Sequence, residues 1–257
     1  PIPGLTLNTD GSFSFNGSDQ AYQSIAKGDT QDIVVNYRVK DSQDVFSDPN
    51  SFTITVTGTN DVPKITTSIS DFGFIEQNNA SSQSLSHSGT LSFIDIDTND
   101  KISISSQVTR DPVWNGGDID TSVKTALETG FNINGNNLDA QGTVIWSYSV
   151  DKVNLDFLAN NETITLTYTI TVTDNNFKSA TNTVTITITG TNDSPTITNR
   201  ISDIDFTEDI TLYLSGTLQF TDIDTNDNIS VSREVTTRAA WSGGNIDNIN
   251  PSLKTDL

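Results

Sequence analysis

The chain has 257 residues, with 13 Lys+Arg against 33 Asp+Glu, a net charge of −20, one His and neither Cys nor Met. So acidic a surface repels nucleic acid and anionic membrane and attracts cations. The missing cysteines exclude disulfides and thiolate chemistry, and a chain free of oxidisable sulfur suits an exposed, extracellular life.

The hydrophobic share is low, 33%, but it is spaced as in half-buried strands, not as in a disordered tail. From the N-terminus, Asp10-Gly11 marks a turn ahead of Ser12–Phe15. Strands are then expected over Asp32–Lys40, with Ile33, Val35, Tyr37 and Val39 on one face, and over Ser51–Thr57. Two or three strands with one apolar face make half a sandwich. Further candidates are Lys64–Ser68, Gly73–Glu76, Gly89–Ile94, Lys101–Thr109, Thr143–Val150, Thr163–Thr173 and Ala180–Thr189. Seven short strands of period two, broken by frequent turns, predict an immunoglobulin-like Greek-key β-sandwich. Between Trp114 and Trp146, residues Ser122–Gly130 predict one or two helical turns, with a Ser or Thr N-cap and a Gly just past the end. That helix is an embellishment folded over one end of the sandwich.

The segment Gly58-Thr59-Asn60-Asp61-Val62-Pro63 returns as Gly190-Thr191-Asn192-Asp193-Ser194-Pro195, 132 residues on. Phe74-Ile75-Glu76 returns as Phe206-Thr207-Glu208, Asp95–Asp100 as Asp222–Asp227, and Trp114-Asn115-Gly116-Gly117 as Trp241-Ser242-Gly243-Gly244. In the other direction Tyr22, Ile25, Asp29 and Asp41 match Leu155, Leu158, Glu162 and Asp174. The expected organisation is the C-terminal half of one repeat (1–61), a complete repeat (62–193) and the N-terminal half of the next (194–257). This reads as a window through a longer tandem array; the alternative is that the two halves complete each other between chains. No apolar run approaches 18 residues and Pro1-Ile2-Pro3 has no signal-peptide character, so any export signal is expected outside this sequence.

Asp95-Ile96-Asp97-Thr98-Asn99-Asp100 and its copy carry the chemistry. Alternate residues of an extended segment face one way, so Asp95 and Asp97 present two carboxylates together, and Asn99 and Asp100 add oxygens as the chain turns. Calcium takes six to eight hard oxygen ligands and tolerates irregular loops. An EF-hand is excluded: its sixth position needs Gly and holds Asp100 or Asp227, and its twelfth needs Glu and holds Ser106 or Arg233. The bland reading is a polar turn bonded to its own backbone; its recurrence beside two Asn-Asp segments favours calcium. The repeated Trp-x-Gly-Gly loops admit a sugar-stacking reading, against which stands a Trp that closes the sandwich core. His87, which has no copy, reads as a solvated loop residue. With one His, no Cys and no Gly-x-Ser-x-Gly elbow, no enzyme is expected, and carboxylates that recur with the repeat suit structure better than a glycosidase site.

Phe157–Thr163, Thr165–Asp174 and the Gly-Thr-Asn-Asp-x-Pro ending resemble the bacterial VCBS repeat, and the order Glu76…Asp95-x-Asp97…Asp174…Asn192-Asp193 resembles the cadherin pattern. The resemblance implies tandem sandwiches in a large, RTX-type (type I-secreted) surface adhesin, stiffened by Ca2+ where repeats meet. It assigns Asn60, Asp61, Asp95, Asp97 and Asp174 to the first joint. To the second it assigns Glu76, Asn192, Asp193, Asp222 and Asp224, and Glu208 to a third. The mid-domain acidic pair of cadherins has no clear counterpart, so one or two ions per joint are expected. Expected partners are neighbouring repeats of the same polypeptide or other copies of the chain. The other reading is a module that binds carbohydrate or another surface ligand.

Overall fold

The computed structural model describes residues 1–78, 80–205, 213 and 215–234. These fall into two compact units, residues 1–194 with 223–225, and the remainder. In the first unit the strands are β1 (Leu5–Leu7), β2 (Phe13–Phe15), β3 (Thr30–Tyr37), β4 (Asn50–Thr57), β5 (Lys64–Thr67), β6 (Phe72–Ile75), β7 (Gln83–Ile94) and β8 (Ile102–Trp114). Helix α1 (Thr121–Thr129) follows, then β9 (Phe131–Ile133), β10 (Gly135–Leu138), β11 (Gln141–Val153), β12 (Thr163–Asp174) and β13 (Ser179–Thr189). Among the described residues the second unit holds one short antiparallel pair, β14 (Thr196–Ile197) with β15 (Phe220–Thr221).

Residues 62–193 form an all-β, immunoglobulin-like sandwich. One sheet runs β10-β8-β12-β13-β6 and the other β5-β7-β11-β9. The opening strand is split between them: β5 pairs antiparallel with β7, while β6 crosses to the facing sheet and runs parallel to β13. Strict alternation builds the core. Along β12 every second residue is buried, and Ile164, Leu166, Ile170 and Val172 are fully enclosed opposite Leu91, Phe93 and Tyr148 of the other sheet. Burying one such side chain contributes about 1.5–3 kcal/mol, while the intervening threonines give a β-branched surface suited to the pleat.

Several strands outrun their apolar stretches. β7 begins at Gln83, not Gly89, because its pairing with β11 continues to Gln83↔Val153 across a bulge. β8 reaches Trp114 because its edge is paired along β12 as far as Ile164↔Trp114. His87 is correspondingly a strand residue: it is exposed, but its ring lies 4.6 Å from that of Phe72 and 5.4 Å from that of Trp146. The helix starts one residue earlier than expected and is capped by Asp120, whose Oδ1 accepts the Ser122 N–H at 2.8 Å. Gly130 ends it in a right-handed conformation, φ −69°. Two tyrosine hydroxyls hold the helix to the sandwich: Tyr168 donates to the Leu127 and Glu128 carbonyls at 2.8 and 2.9 Å, and Tyr148 donates to Leu127 at 3.2 Å.

Residues 1–61 repeat, in shorter form, strand pairings and a turn from the second half of that sandwich. β3 pairs with β4 as β12 pairs with β13. In the turn that follows β3, Asp41 Oδ1 accepts the N–H groups of Gln43 and Val45, as Asp174 Oδ1 accepts those of Asn176 and Lys178. The left-handed residues also match, Asp44 at φ 64° and Phe177 at φ 67°. Of the facing sheet only the β1–β2 pair is present, which matches β9 paired with β11. Tyr37 and Val39, which correspond to the enclosed Ile170 and Val172, are 37% and 68% exposed.

Candidate metal centres

Where β7 ends, the Asp95 N–H donates to the Ala140 carbonyl, and Asp95 Oδ1 accepts the Asp97 N–H at 3.1 Å. The Asp100 N–H then returns to the Asp97 carbonyl at 3.1 Å. This tight loop sets Asp95 and Asp100 against Asp174 at the end of β12, with a carboxylate oxygen of each lying within 4.8 Å of the others. All three are buried, and Asp97 beside them is fully so. The 58–63 linker closes the group: Asp97 Oδ2 accepts the Asp61 N–H at 2.9 Å, and Asn60 Nδ2 donates to Asp174 Oδ2 at 2.9 Å. Asn99 does not join, being exposed, with its amide directed to Asp29 Oδ2.

Asp95 Oδ2, Asp97 Oδ1 and Asn60 Oδ1 are buried and accept no hydrogen bond. Among the described residues no Lys or Arg forms an ion pair with Asp95, Asp97, Asp100 or Asp174. Burial, with the neighbouring carboxylates adding to it, holds the Asp95 and Asp97 carboxyls above their ordinary range, against the lowering effect of the N–H groups they accept. Anionic oxygens without hydrogen or cation are costly in a protein interior. A hard divalent cation would supply what that donor set lacks, carboxylate and amide oxygens in an irregular loop being the ligand type calcium takes.

A second group lies at the opposite end of the sandwich. Glu76 at the end of β6, Asp156 in the loop after β11 and Asp193 in the 190–195 linker bring carboxylate oxygens within 4.8 Å of one another, all three residues buried. Glu76 Oε2 accepts from the Thr191 N–H at 3.1 Å and its hydroxyl at 2.5 Å, and the Asp193 N–H donates to Asp224 Oδ2 at 2.8 Å. Asp156 Oδ1 is buried without a partner, and burial beside Asp193 and Glu76 raises that carboxyl. Asn192 is exposed, its amide donating to the Asp193 carbonyl at 2.6 Å. Asp222 is half-buried and belongs to the other unit. Glu208 and Trp241–Gly244 lie outside the described residues.

The groups thus draw together Asn60, Asp61, Asp95, Asp97 and Asp174 at one end, and Glu76, Asp193 and Asp224 at the other. Asp156 was not expected from the sequence. Its one signal is a place beside the Phe157–Thr163 stretch, and its partners come from distant parts of the chain. Trp114 is 7% exposed: its Nε1 donates to Glu162 Oε2 at 3.0 Å, and its ring packs edge-on against Phe157. Trp146 is also buried, stacked on Phe131. Neither indole offers a face to a sugar.

No family model matches the chain, and no curated protein matches it. Solved structures similar to it include CfaE, the adhesive subunit of the CFA/I fimbria of enterotoxigenic Escherichia coli, at 11% identity and TM-score 0.34, covering 72% of this chain and 66% of that one. The zebrafish RET cadherin-like domains 1 to 4 match at 11% identity and TM-score 0.27, over 74% of this chain and 39% of that one. Domains 4 and 5 of the S-layer protein SbsC match at 11% and 0.24, over 71% and 64%. Likeness at this level carries no argument about function. What the strands and linkers define by themselves is a β-sandwich repeat with carboxylates gathered at both ends.

Proposed function

We propose that this chain is a structural and adhesive segment of a large secreted surface protein, whose repeats are held in line by calcium at the Asn60 and Asn192 linkers. The observation that carries the reading is the pair of buried carboxylate groups at the two ends of the sandwich, with unsatisfied oxygens on Asp95 and Asp97 at one end and on Asp156 at the other. Both include an Asp of the linker or accept its N–H. Without a cation these carboxylates repel one another and the linker is a hinge. With calcium bound, Asn60, Asp61, Asp95, Asp97, Asp100 and Asp174 would hold it at the first linker, and Glu76, Asp156 and Asp193 at the second. The residues supply charge and orientation, and the ion removes the freedom of the linker. The natural partner is another repeat, in the same polypeptide or another copy of the chain. Such a partner would cover Tyr37 and Val39, which the half-repeat leaves exposed.

The test is thermal unfolding and limited proteolysis with calcium and with a chelator, using a serine protease that cuts after acidic residues. Calcium is expected to raise the melting temperature and to suppress cleavage after Asp61 and Asp193. Identical melting and cleavage in both conditions would refute the reading.

A further inference from the structure

The two linkers are built on one hydrogen-bond frame. The Gly58 N–H donates to the Asp29 carbonyl as the Gly190 N–H donates to Glu162, and the Gly28 N–H donates to Gly58 as the Asn161 N–H donates to Gly190. The Asp61 N–H meets Asp97 as the Asp193 N–H meets Asp224. Asn60 and Asn192 each turn their amide onto the following carbonyl. Neither glycine has room for a Cβ, which would meet the carbonyls of Ile25 and Ala26 in one case and of Leu158 and Ala159 in the other. On so close a match, single differences in charge stand out.

The position of Asp156 is taken by Gln23 at the first linker, since Tyr22, Ile25 and Ala26 align with Leu155, Leu158 and Ala159. Gln23 and Asp61 line a cavity of about 380 Å³ together with Val62, Lys64, Ile94 and Ile96. The ammonium of Lys64 is the second difference, because the matching position in the other linker holds Thr196. A carboxylate has become a neutral amide, and a cationic side chain lines the same space. Both changes oppose a divalent cation, whose affinity follows the count of charged ligands. Neither depends on what precedes Pro1.

We propose that the two linkers are graded in their calcium capacity: the Asn192 linker binds one divalent cation through Glu76, Asp156 and Asp193 that has no equivalent at the Asn60 linker, where Gln23 takes the position of Asp156 and Lys64 lines the adjoining cavity. The inference rests on the calcium reading above and adds that the two linkers stiffen at different calcium concentrations. Asp156 carries it because its buried, unpartnered Oδ1 shows the group to be short of a cation, not merely acidic.

Equilibrium dialysis of the whole chain against labelled calcium, with fragment analysis of protease cleavage after Asp61 and Asp193, tests this. Asp156→Asn is expected to lower the bound calcium by one ion per chain. It should raise at least tenfold the calcium needed to protect the bond after Asp193 and leave protection after Asp61 unchanged. In chelator the same variant should melt no lower than the parent, since a buried like-charge contact has been relieved, which shows that it folds. Asp95→Asn should do the reverse, shifting protection after Asp61 alone. Calcium binding that survives Asp156→Asn undiminished, or protection that shifts together at both bonds, overturns the grading while leaving the calcium reading intact. A parent chain that binds no calcium overturns that reading, and the grading with it.

Discussion

Replacing Asp97 by Asn separates the two roles of this carboxylate. Oδ2 accepts the Asp61 N–H at 2.9 Å, while Oδ1 is buried without a partner. Asn keeps an acceptor for the linker but removes the charge. The hydrogen bond then weakens from charge-assisted to neutral, a loss of about 1 kcal/mol. Against that, one member leaves a crowd of buried carboxylates that already lifts the Asp97 carboxyl above its ordinary range. The two effects oppose each other at similar size, so in chelator the melting temperature should change by only a few degrees. Calcium changes the balance. A parent site at 100 times its dissociation constant gains about 2.7 kcal/mol, and after a hundredfold loss of affinity the gain is about 0.4 kcal/mol. The calcium-dependent gain should therefore shrink by about 2.3 kcal/mol, or roughly 5–9 °C at about 2–4 °C per kcal/mol for a unit of this size. Differential scanning calorimetry with calcium and with chelator reads both numbers. An Asp97→Asn variant that keeps the full calcium-dependent gain would refute the assignment of this residue.

The metal-free protein should lose stability as pH rises from the ordinary carboxyl value of 3.8 towards neutrality. Asp95, Asp97 and Asp156 hold their protons to higher pH when folded than when unfolded, so over that window the folded state binds more protons. Melting in chelator that instead climbs between pH 5 and 7.5 would count against this. Tyr168→Phe removes the hydroxyl that bonds the last carbonyls of α1 and should cost about 1–3 kcal/mol; hydrogen exchange should locate the loosening at residues 121–129, and uniform exchange would argue otherwise. Gly190→Ala forces a methyl against the Leu158 and Ala159 carbonyls and should cost about 1–3 kcal/mol through backbone displacement. Urea titration measures that cost, and an unchanged midpoint would mean that the linker adjusts freely.

The strands were legible where alternation alone decides them. β12 reads as a strand from its sequence, and every second residue of it is buried. Where a partner strand decides, the residues gave less. Gln83–Ser88 is rich in serine and looks like loop, yet β11 carries it into the sheet with Leu85 buried. The helix cap was expected to be Ser or Thr and is Asp120, because the acidic residue just ahead of Thr121 and Ser122 caps as well and the fold starts the helix one residue earlier. Of the carboxylate groups, Asp95 and Asp97 were visible because their spacing is local and repeated. Asp156 was not, since it gains meaning only when β6 and the 190–195 linker bring Glu76 and Asp193 to it.

The shared frame of the two linkers separates what holds the chain together from what the cation would add. The glycine approaches, the bonds through Asp29 and Glu162, and the N–H groups of Asp61 and Asp193 all connect protein to protein. They set the path of the linker, while its stiffness is left to the carboxylates and whatever neutralises them. The oxygens left over, on Asn60, Asp95, Asp97 and Asp156, contribute nothing to that frame and carry only a desolvation cost. A fold under selection for stability alone would replace such oxygens with apolar atoms of similar volume, as buried polar groups generally permit. Their presence in a chain already at −20 fits the proposal that rigidity at the linker depends on a cation from outside the chain.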